Sequence, residues 1–245
     1  MNVRFYLLDR VTFMTACHAR VVLDDFASRL AAHPRVTDLL VAGSLATGDH
    51  LPGVSDLDLV AICSAPLTEP EVRALHDGID PALALGCVYV DQASVADVAR
   101  RHPTWTHGVL VQRILSGVTR AELVRHGYAV LGRAPGEIFP AMTDDDVREA
   151  GRAELTGYWS WAARRPWLFL DPVMADLSLT SMARGRHTLA HGALLTKSRA
   201  VGQAAAPPWL IDQLAARRRG EQVTSPRLRT AWIAWRDARR TVHLT

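Results

Sequence analysis

The sequence predicts an α+β fold, with a small mixed β-sheet flanked by helices in its N-terminal part and an all-helical C-terminal part. Three observations lead there. Apolar runs of strand length alternate with helix-spaced segments early in the chain. A Gly43-Ser44 pair and a polar, glycine-bearing stretch from Thr47 to Ser55 separate two of those runs. From about residue 142 the strand signals fade while helical spacing continues, punctuated by Pro166, Pro172, Pro207, Pro208 and Pro226. Two domains are expected, 1–140 and 141–245.

Residues 11–33 have the 3–4 spacing of a helix through Val11, Met14, Val21, Val22, Leu23, Phe26 and Leu30, ended by His33-Pro34. Val36 to Ala42 is a short apolar run suited to a buried strand, and Leu57 to Cys63 is a second. Residues 70–79 open on Pro70 and carry alternating charge, which indicates a helix. Leu85 to Val90 makes a third strand. Helix, strand, turn, strand, helix, strand is the order of a layered unit with a mixed sheet. Later, Thr143 is placed to cap a helix whose first turn holds Asp144, Asp145 and Asp146, where the helix dipole favours negative charge.

Composition excludes several classes. Nearly half the residues are apolar, so disorder does not dominate. Cys17, Cys63 and Cys87 are an odd, widely spaced set, which suggests neither a disulfide framework nor a zinc cluster. Cys63 and Cys87 lie in apolar runs and read as buried thiols of a reducing compartment. Charges at Arg4, Asp9 and Arg10 interrupt the N-terminal apolar patches, and no stretch is long enough to span a bilayer, so a cytoplasmic protein is expected. The net charge of +3 is small, and its basic excess lies late, at Arg217 to Arg219 and from Arg229 to Arg240. Without a nucleic-acid-binding signature or an interleaved aromatic platform, this reads as a solvated helix face, and nucleic acid is not an expected partner.

The chemistry concentrates between Val41 and Val60. Side chains of a strand alternate faces, so Asp56 and Asp58 project one way while Leu57 and Leu59 enter the core. Two carboxylates on one face make a hard, anionic oxygen site suited to Mg²⁺, which would bridge triphosphate oxygens in an in-line displacement at phosphorus. Gly43 permits close approach of a phosphate to the backbone, and Ser44 offers a hydroxyl donor. Either motif alone is weak; their combination between two apolar strands is specific.

Gly43-Ser44-x-Ala46-Thr47-Gly48, followed by Ser55-Asp56-x-Asp58-Leu59-Val60, resembles the signature of the DNA polymerase β-type nucleotidyltransferase superfamily. The later chain is similar to the aminoglycoside adenylyltransferases that act on streptomycin and spectinomycin. Ala129 to Phe139 looks like their connector into a helical domain, and Leu179 to Arg184, His191-Gly192 and Thr196 to Ala200 look like their C-terminal nucleotide-contacting segment. The resemblance implies a bilobed enzyme using ATP and Mg²⁺, with antibiotic resistance as its setting. Asp56 and Asp58 would be catalytic and metal-binding; Gly43, Ser44, Thr47, Ser55, Arg184 and Lys197 would contact the nucleotide. A guanidinium and an ammonium are both sensible phosphate ligands.

One departure stands out. These enzymes carry a third carboxylate on the strand that is Ala84 to Val90 here, and its place falls on Gly86. Asp91 is an odd number of residues away and would face oppositely unless a bulge re-aimed it; Asp80 lies just before the strand. A base could come instead from Glu154 or Asp176, the reaction could run without a strong base, or the chain could be a catalytically silent nucleotide-binding module. Transfer to a protein or RNA acceptor is a further alternative. His187 and His191 have i, i+4 spacing without the glutamate of a zinc protease site, and Tyr158, Trp159, Trp161 and Trp167 read chiefly as helical core.

Overall fold

The computed structural model describes residues 20–244, and these fall into two units, residues 20–115 with 122–140 and residues 116–121 with 141–244. The first holds helix α1 (residues 20–31), β1 (Val36–Val41), α2 (Gly43–Ala46), β2 (Leu57–Cys63), α3 (Glu69–Leu75) and β3 (Leu85–Asp91). It continues with β4 (Arg101–Thr106), β5 (Val109–Ile114), the later part of α4 (Gly117–His126), β6 (Tyr128–Leu131) and α5 (Pro135–Ile138). The α+β class is as expected. Residues 11–19 of the anticipated first helix lie outside the described residues.

One six-stranded sheet runs in the order β5-β4-β3-β2-β1-β6. Only the β2–β3 pair is parallel, so the sheet is mixed, as α3 crosses between those two strands. On one face, Leu39, Val41, Leu57, Leu59, Cys87 and Tyr89 pack with Phe26 and Leu30 of α1 and Val72 of α3. The other face, through Leu40, Val60, Ile62 and Val90, packs against Leu115, Leu123 and Phe139. Thr68 caps α3, with Glu71 Oε2 accepting from Thr68 N at 2.7 Å. That cap starts the helix at Glu69, and it ends at Leu75, shorter than the 70–79 expected from the charge pattern.

Cys63 and Cys87 are buried thiols, and burial pushes Cys63 up to about 12 and Cys87 higher still. His76, at the end of α3, stacks on Trp105 with ring centroids 4.6 Å apart and meets the Tyr89 hydroxyl at 2.8 Å. Burial, and after it the nearby Arg29 charge, drives its pKa from 6.5 down to about 3.

Asp38 is 1% exposed on the otherwise apolar β1. It accepts from Arg133 N at 2.6 Å, Nε at 3.0 Å and Nη2 at 2.7 Å, clamping the chain beyond β6 onto β1. Burial alone would raise the Asp38 pKa; the hydrogen bonds and charge of Arg133 outweigh it and hold the carboxyl below its ordinary range.

The second unit is helical: α6 (Asp144–Glu154), α7 (Ser160–Ala163), α8 (Pro172–His191), α9 (Lys197–Gly202), α10 (Pro208–Arg218) and α11 (Arg227–Thr241). Thr143 caps α6 as expected, its Oγ1 accepting from Asp146 N at 3.2 Å. Gly192 ends α8 with φ 61°. Trp159 is core, whereas Tyr158, Trp161 and Trp167 are exposed, a division the sequence did not reveal. On α11, Trp232 and Trp235 lie 5.0 Å apart by ring centroid, with Arg239 over Trp235, so the late basic stretch does carry interleaved aromatics. No helix among the described residues is long and apolar enough to cross a membrane.

Two outcomes follow for stability. His76 is favoured neutral in the fold, so its contribution is complete above pH 6.5 and is lost as pH falls toward 3. By pH 5 the loss is about 2 kcal/mol, and denaturant titrations should show this decline shrinking in His76→Phe. Arg133→Ala removes the counter-charge of a buried carboxylate, which keeps its bonds from the residue 133 backbone N–H and Thr37 Oγ1, and should cost about 2–3 kcal/mol at pH 7, at the low end for a buried pair because solvent reaches the arginine. Chemical denaturation at progressively lower pH should show the difference from wild type shrinking, because the charge that Arg133 stabilises on Asp38 is lost as the carboxyl takes up a proton.

Candidate active site

β1 ends at Val41 and the chain turns at once into α2, with Gly43 at φ 60°. Ala42 N donates to Asp58 O at 2.9 Å, which continues the β1–β2 ladder up to the turn. On β2, Leu57 and Leu59 are each 2% exposed while Asp58 is exposed, so the expected alternation holds there; Asp56, half-buried, immediately precedes the strand.

Gly43 serves Asp58 directly. A Cβ at residue 43 would stand 2.0 Å from Asp58 Oδ2 and 2.8 Å from its Cγ. The glycine therefore makes room for the carboxylate as well as permitting the left-handed turn, and Gly43 and Asp58 form one local structure. Ser44 is buried in α2. Thr47 Oγ1 donates to Gly43 O at 3.1 Å and lies 3.3 Å from Ser44 O, while Ser55 Oγ accepts from Leu51 N at 3.0 Å. These two hydroxyls thus shape the loop between β1 and β2.

The parallel β2–β3 ladder is regular from Leu57↔Leu85 to Cys63↔Asp91 and pairs Asp58 with Gly86. The place beside Asp58 on its own face is therefore occupied by a residue with no side chain. Asp91 sits at the other end of the strand, about 17 Å along, and its Oδ1 accepts from Ala93 N at 3.2 Å. The ladder has no bulge to re-aim it. Asp176, another candidate base, is held by Arg217 through Nε at 2.5 Å and Nη2 at 2.8 Å.

Among the described residues no three His, Cys, Asp or Glu side chains cluster as a metal site. The donor set of Asp56 and Asp58 still fits Mg²⁺, which binds through one or two carboxylates and completes its octahedron with phosphate oxygens and water. It does not fit zinc, whose sites take three or four protein ligands that are mostly His and Cys. His187 and His191 are adjacent, with ring centroids 4.5 Å apart, and burial and mutual repulsion lower the His187 pKa.

In the helical unit, Arg184 Nε donates to Leu195 O at 2.8 Å, two residues before Lys197. Ala183, Leu195 and Ala200 pack together behind this contact, and Thr196 caps α9 so that Lys197 opens it. Arg184 thus bonds to the backbone of the segment that leads into Lys197.

The sequence reading missed the β4–β5 hairpin, whose turn at His107-Gly108 has positive φ at both residues, 49° and 75°. Thr106 Oγ1 lies 2.9 Å from His107 Nδ1. The His-Gly pair was the available signal.

The geometry of Gly43 gives a direct test. Gly43→Ala meets the Asp58 carboxylate and a left-handed backbone together, so it should cost about 1–2 kcal/mol of stability and displace Asp58. Thermal unfolding and a crystal structure of the variant would check this, and an unmoved Asp58 would refute it.

Residues 22–99 match the model of the family described as nucleotidyltransferase domain. No curated protein matches the chain in sequence. Among solved structures, the chain is similar in fold to spectinomycin adenyltransferase AAD(9) from Enterococcus faecialis, determined with ATP and spectinomycin. The TM-score is 0.69 at 15% identity, covering 94% of this chain and 99% of that one. Residues 22–99 thus match a nucleotidyltransferase domain, and the chain shares its fold with an adenyltransferase.

Proposed function

We propose that the protein is a Mg²⁺-dependent adenylyltransferase that moves AMP from ATP to a hydroxyl of a small, aminoglycoside-like acceptor, with pyrophosphate leaving. The observation that carries this reading is the pair Asp56 and Asp58 on one face at the start of β2, with Gly43 yielding its side-chain space to Asp58. Mg²⁺ bound there would offset the charge that builds on the triphosphate as the bond to the α-phosphorus changes partners.

The chain's own residues do the rest. Asp56 and Asp58 would hold the cation; strand and ladder fix the backbone of Asp58, and Asp56 directly precedes the first ladder pair, Leu57 with Leu85. Gly43 and Ser44 receive phosphate oxygens at the turn. Thr47 and Ser55 keep the loop in the shape that this needs. Arg184 and Lys197 add positive charge toward the triphosphate; the support for them is the resemblance and their placement around Leu195. ATP as donor and an aminocyclitol-type acceptor are suggested by the similar structure, which was determined with ATP and spectinomycin.

Gly86 favours a second reading, a module that binds nucleotide without transferring it, because the position beside Asp58 offers no acid or base. Pyrophosphate release with ATP and Mg²⁺ across a panel of aminoglycosides and aminocyclitols separates the two. The proposed enzyme releases pyrophosphate only with a matching acceptor, and Asp56→Asn or Asp58→Asn lowers the rate by about a thousandfold, equivalent to roughly 4 kcal/mol of lost electrostatic stabilisation. Tight ATP binding without release would favour the silent module. Labelled AMP appearing on RNA or protein would redirect the acceptor assignment.

A further inference from the structure

We propose that His107 is the general base for the acceptor hydroxyl, working across the space that Gly86 leaves open beside Asp58; this rests on the transfer reaction proposed above. A neutral hydroxyl that attacks phosphorus must lose its proton, and a positioned base contributes about 10²–10⁴-fold to such a step. Asp56 and Asp58 are committed to the cation. Gly86, paired with Asp58, has no side chain, and a Cβ there would meet only Leu57 O and Trp105 O, both at an ordinary 3.7 Å. That space is open and unused by any side chain of β3.

The next strand fills the role from its end. β3 pairs with β4 through Cys87↔Trp105 and Val88↔Thr104. Trp105 packs on the Leu59 face of the sheet with Cys87, so Thr104 lies on the opposite face, the face of Val88 and Asp58. Alternation puts Thr106 on that same face. β4 runs antiparallel to β3, so it finishes at the end of the sheet where β2 and β3 begin. His107 follows immediately, and its Nδ1 lies 2.9 Å from Thr106 Oγ1. The contact ties the exposed imidazole to Thr106, a residue that the alternation places on the carboxylate face. When Nδ1–H donates to Thr106, the neutral ring presents the Nε2 lone pair, and the same bond survives in the imidazolium.

β4 is two strands from β2, about 10 Å, a separation that an acceptor ring lying over Gly86 would bridge. Titratable groups of the elements at this end include Asp58 on β2, Asp56 just before it, Asp49 and His50 in the preceding loop and Asp80 in the connection into β3, while β5 supplies Val109, Leu110 and Val111. Backbone geometry points to the same place. Among the described residues, the non-glycine residues with positive φ are Ala84 (46°) and His107 (49°). Ala84 lies two residues before Gly86, with its carbonyl accepting from Leu57 N at 3.3 Å, and His107 lies at the turn after the neighbouring strand. A histidine in that turn conformation is held against roughly 1 kcal/mol of strain, and such strain gathers at functional sites.

In the step itself, the acceptor oxygen forms its bond to the α-phosphorus as its proton passes to His107 Nε2. The bond from that phosphorus to the bridging oxygen breaks, and pyrophosphate leaves with the electron pair. The imidazolium then returns its proton to water.

The test is the rate of AMP transfer against pH, using full-length wild type, His107→Gln, Thr106→Val and the double variant Gly86→Glu with His107→Gln. His107→Gln should lose about 100-fold in kcat with KM for ATP unchanged, and should lose the acid limb that a protonatable base gives the wild-type profile. Thr106→Val should lower kcat by a smaller factor. Gly86→Glu in the His107→Gln background should recover at least about tenfold and move the acid limb into the carboxylate range. Wild-type kcat and pH profile in His107→Gln would overturn the base role and leave the transferase reading standing. A lower kcat with an unchanged pH profile would also overturn it, as a structural effect. Wild-type protein that binds ATP but transfers AMP to no acceptor would overturn both.

Discussion

The demand that one face of β2 be apolar governs the site. Leu57 and Leu59 are each 2% exposed, in a core shared with α1 and α3. Slipping the strand by one residue would expose both leucines and drive a carboxylate into that core, at a cost of several kcal/mol. The same packing that stabilises the sheet therefore aims Asp56 and Asp58 away from it. Asp58 is fixed more tightly still, since its carbonyl accepts from Ala42 N and its carboxylate fills the space where a side chain of residue 43 would stand. Strand, turn and acid act as one piece. This is how a site with so few groups can be preorganised without a dedicated scaffold around each side chain.

The neighbouring strands show what that arrangement lacks and what the fold offers in its place. The regular β2–β3 ladder sets a glycine beside Asp58 and sends Asp91 to the far end of the sheet. The antiparallel return of β4 then brings a strained, hydrogen-bonded histidine to the end where the two acids sit. A parallel pair followed by an antiparallel hairpin is what lets residues from three strands converge on one edge. Further along the sheet, the Asp38–Arg133 clamp secures the segment beyond β6, so the edge opposite the hairpin is fixed by charge as well as by the ladder.

Much of this was legible in the chain itself. β1, β2 and β3 are largely apolar runs, and their buried patterns leave little choice of register. The Gly43-Ser44 turn, the two acids and the Thr143 cap are local signals, and local signals carry well. β4 and β5 escaped notice because their sequences, Arg-His-Pro-Thr-Trp-Thr and Val-Leu-Val-Gln-Arg-Ile, mix charge, proline and exposed apolar residues. β5 is an edge strand with little burial, so no periodicity marks it. Pro103 within β4 argues against a strand by ordinary rules, yet the structure pairs it with Gln112. Asp38 and Arg133 are 95 residues apart, and nothing in either local sequence announces their contact. Gly86 could be recognised as a gap, but the hairpin end that adjoins it depends on sheet order, which residue patterns did not supply. Likewise, the requirement for Gly43 looked like a phosphate effect, whereas the closest demand comes from Asp58.

The central claim is that Asp56 and Asp58 together hold a divalent cation on the triphosphate. A crystal structure with Mn²⁺ and an ATP analogue carrying a non-cleavable α,β-methylene bridge tests this most directly, because manganese gives an anomalous signal. The account predicts an anomalous peak within coordinating distance of both carboxylates and of triphosphate oxygens, absent from Asp58→Asn crystals grown the same way. A triphosphate bound away from β2, or a manganese peak that touches neither acid, would contradict it.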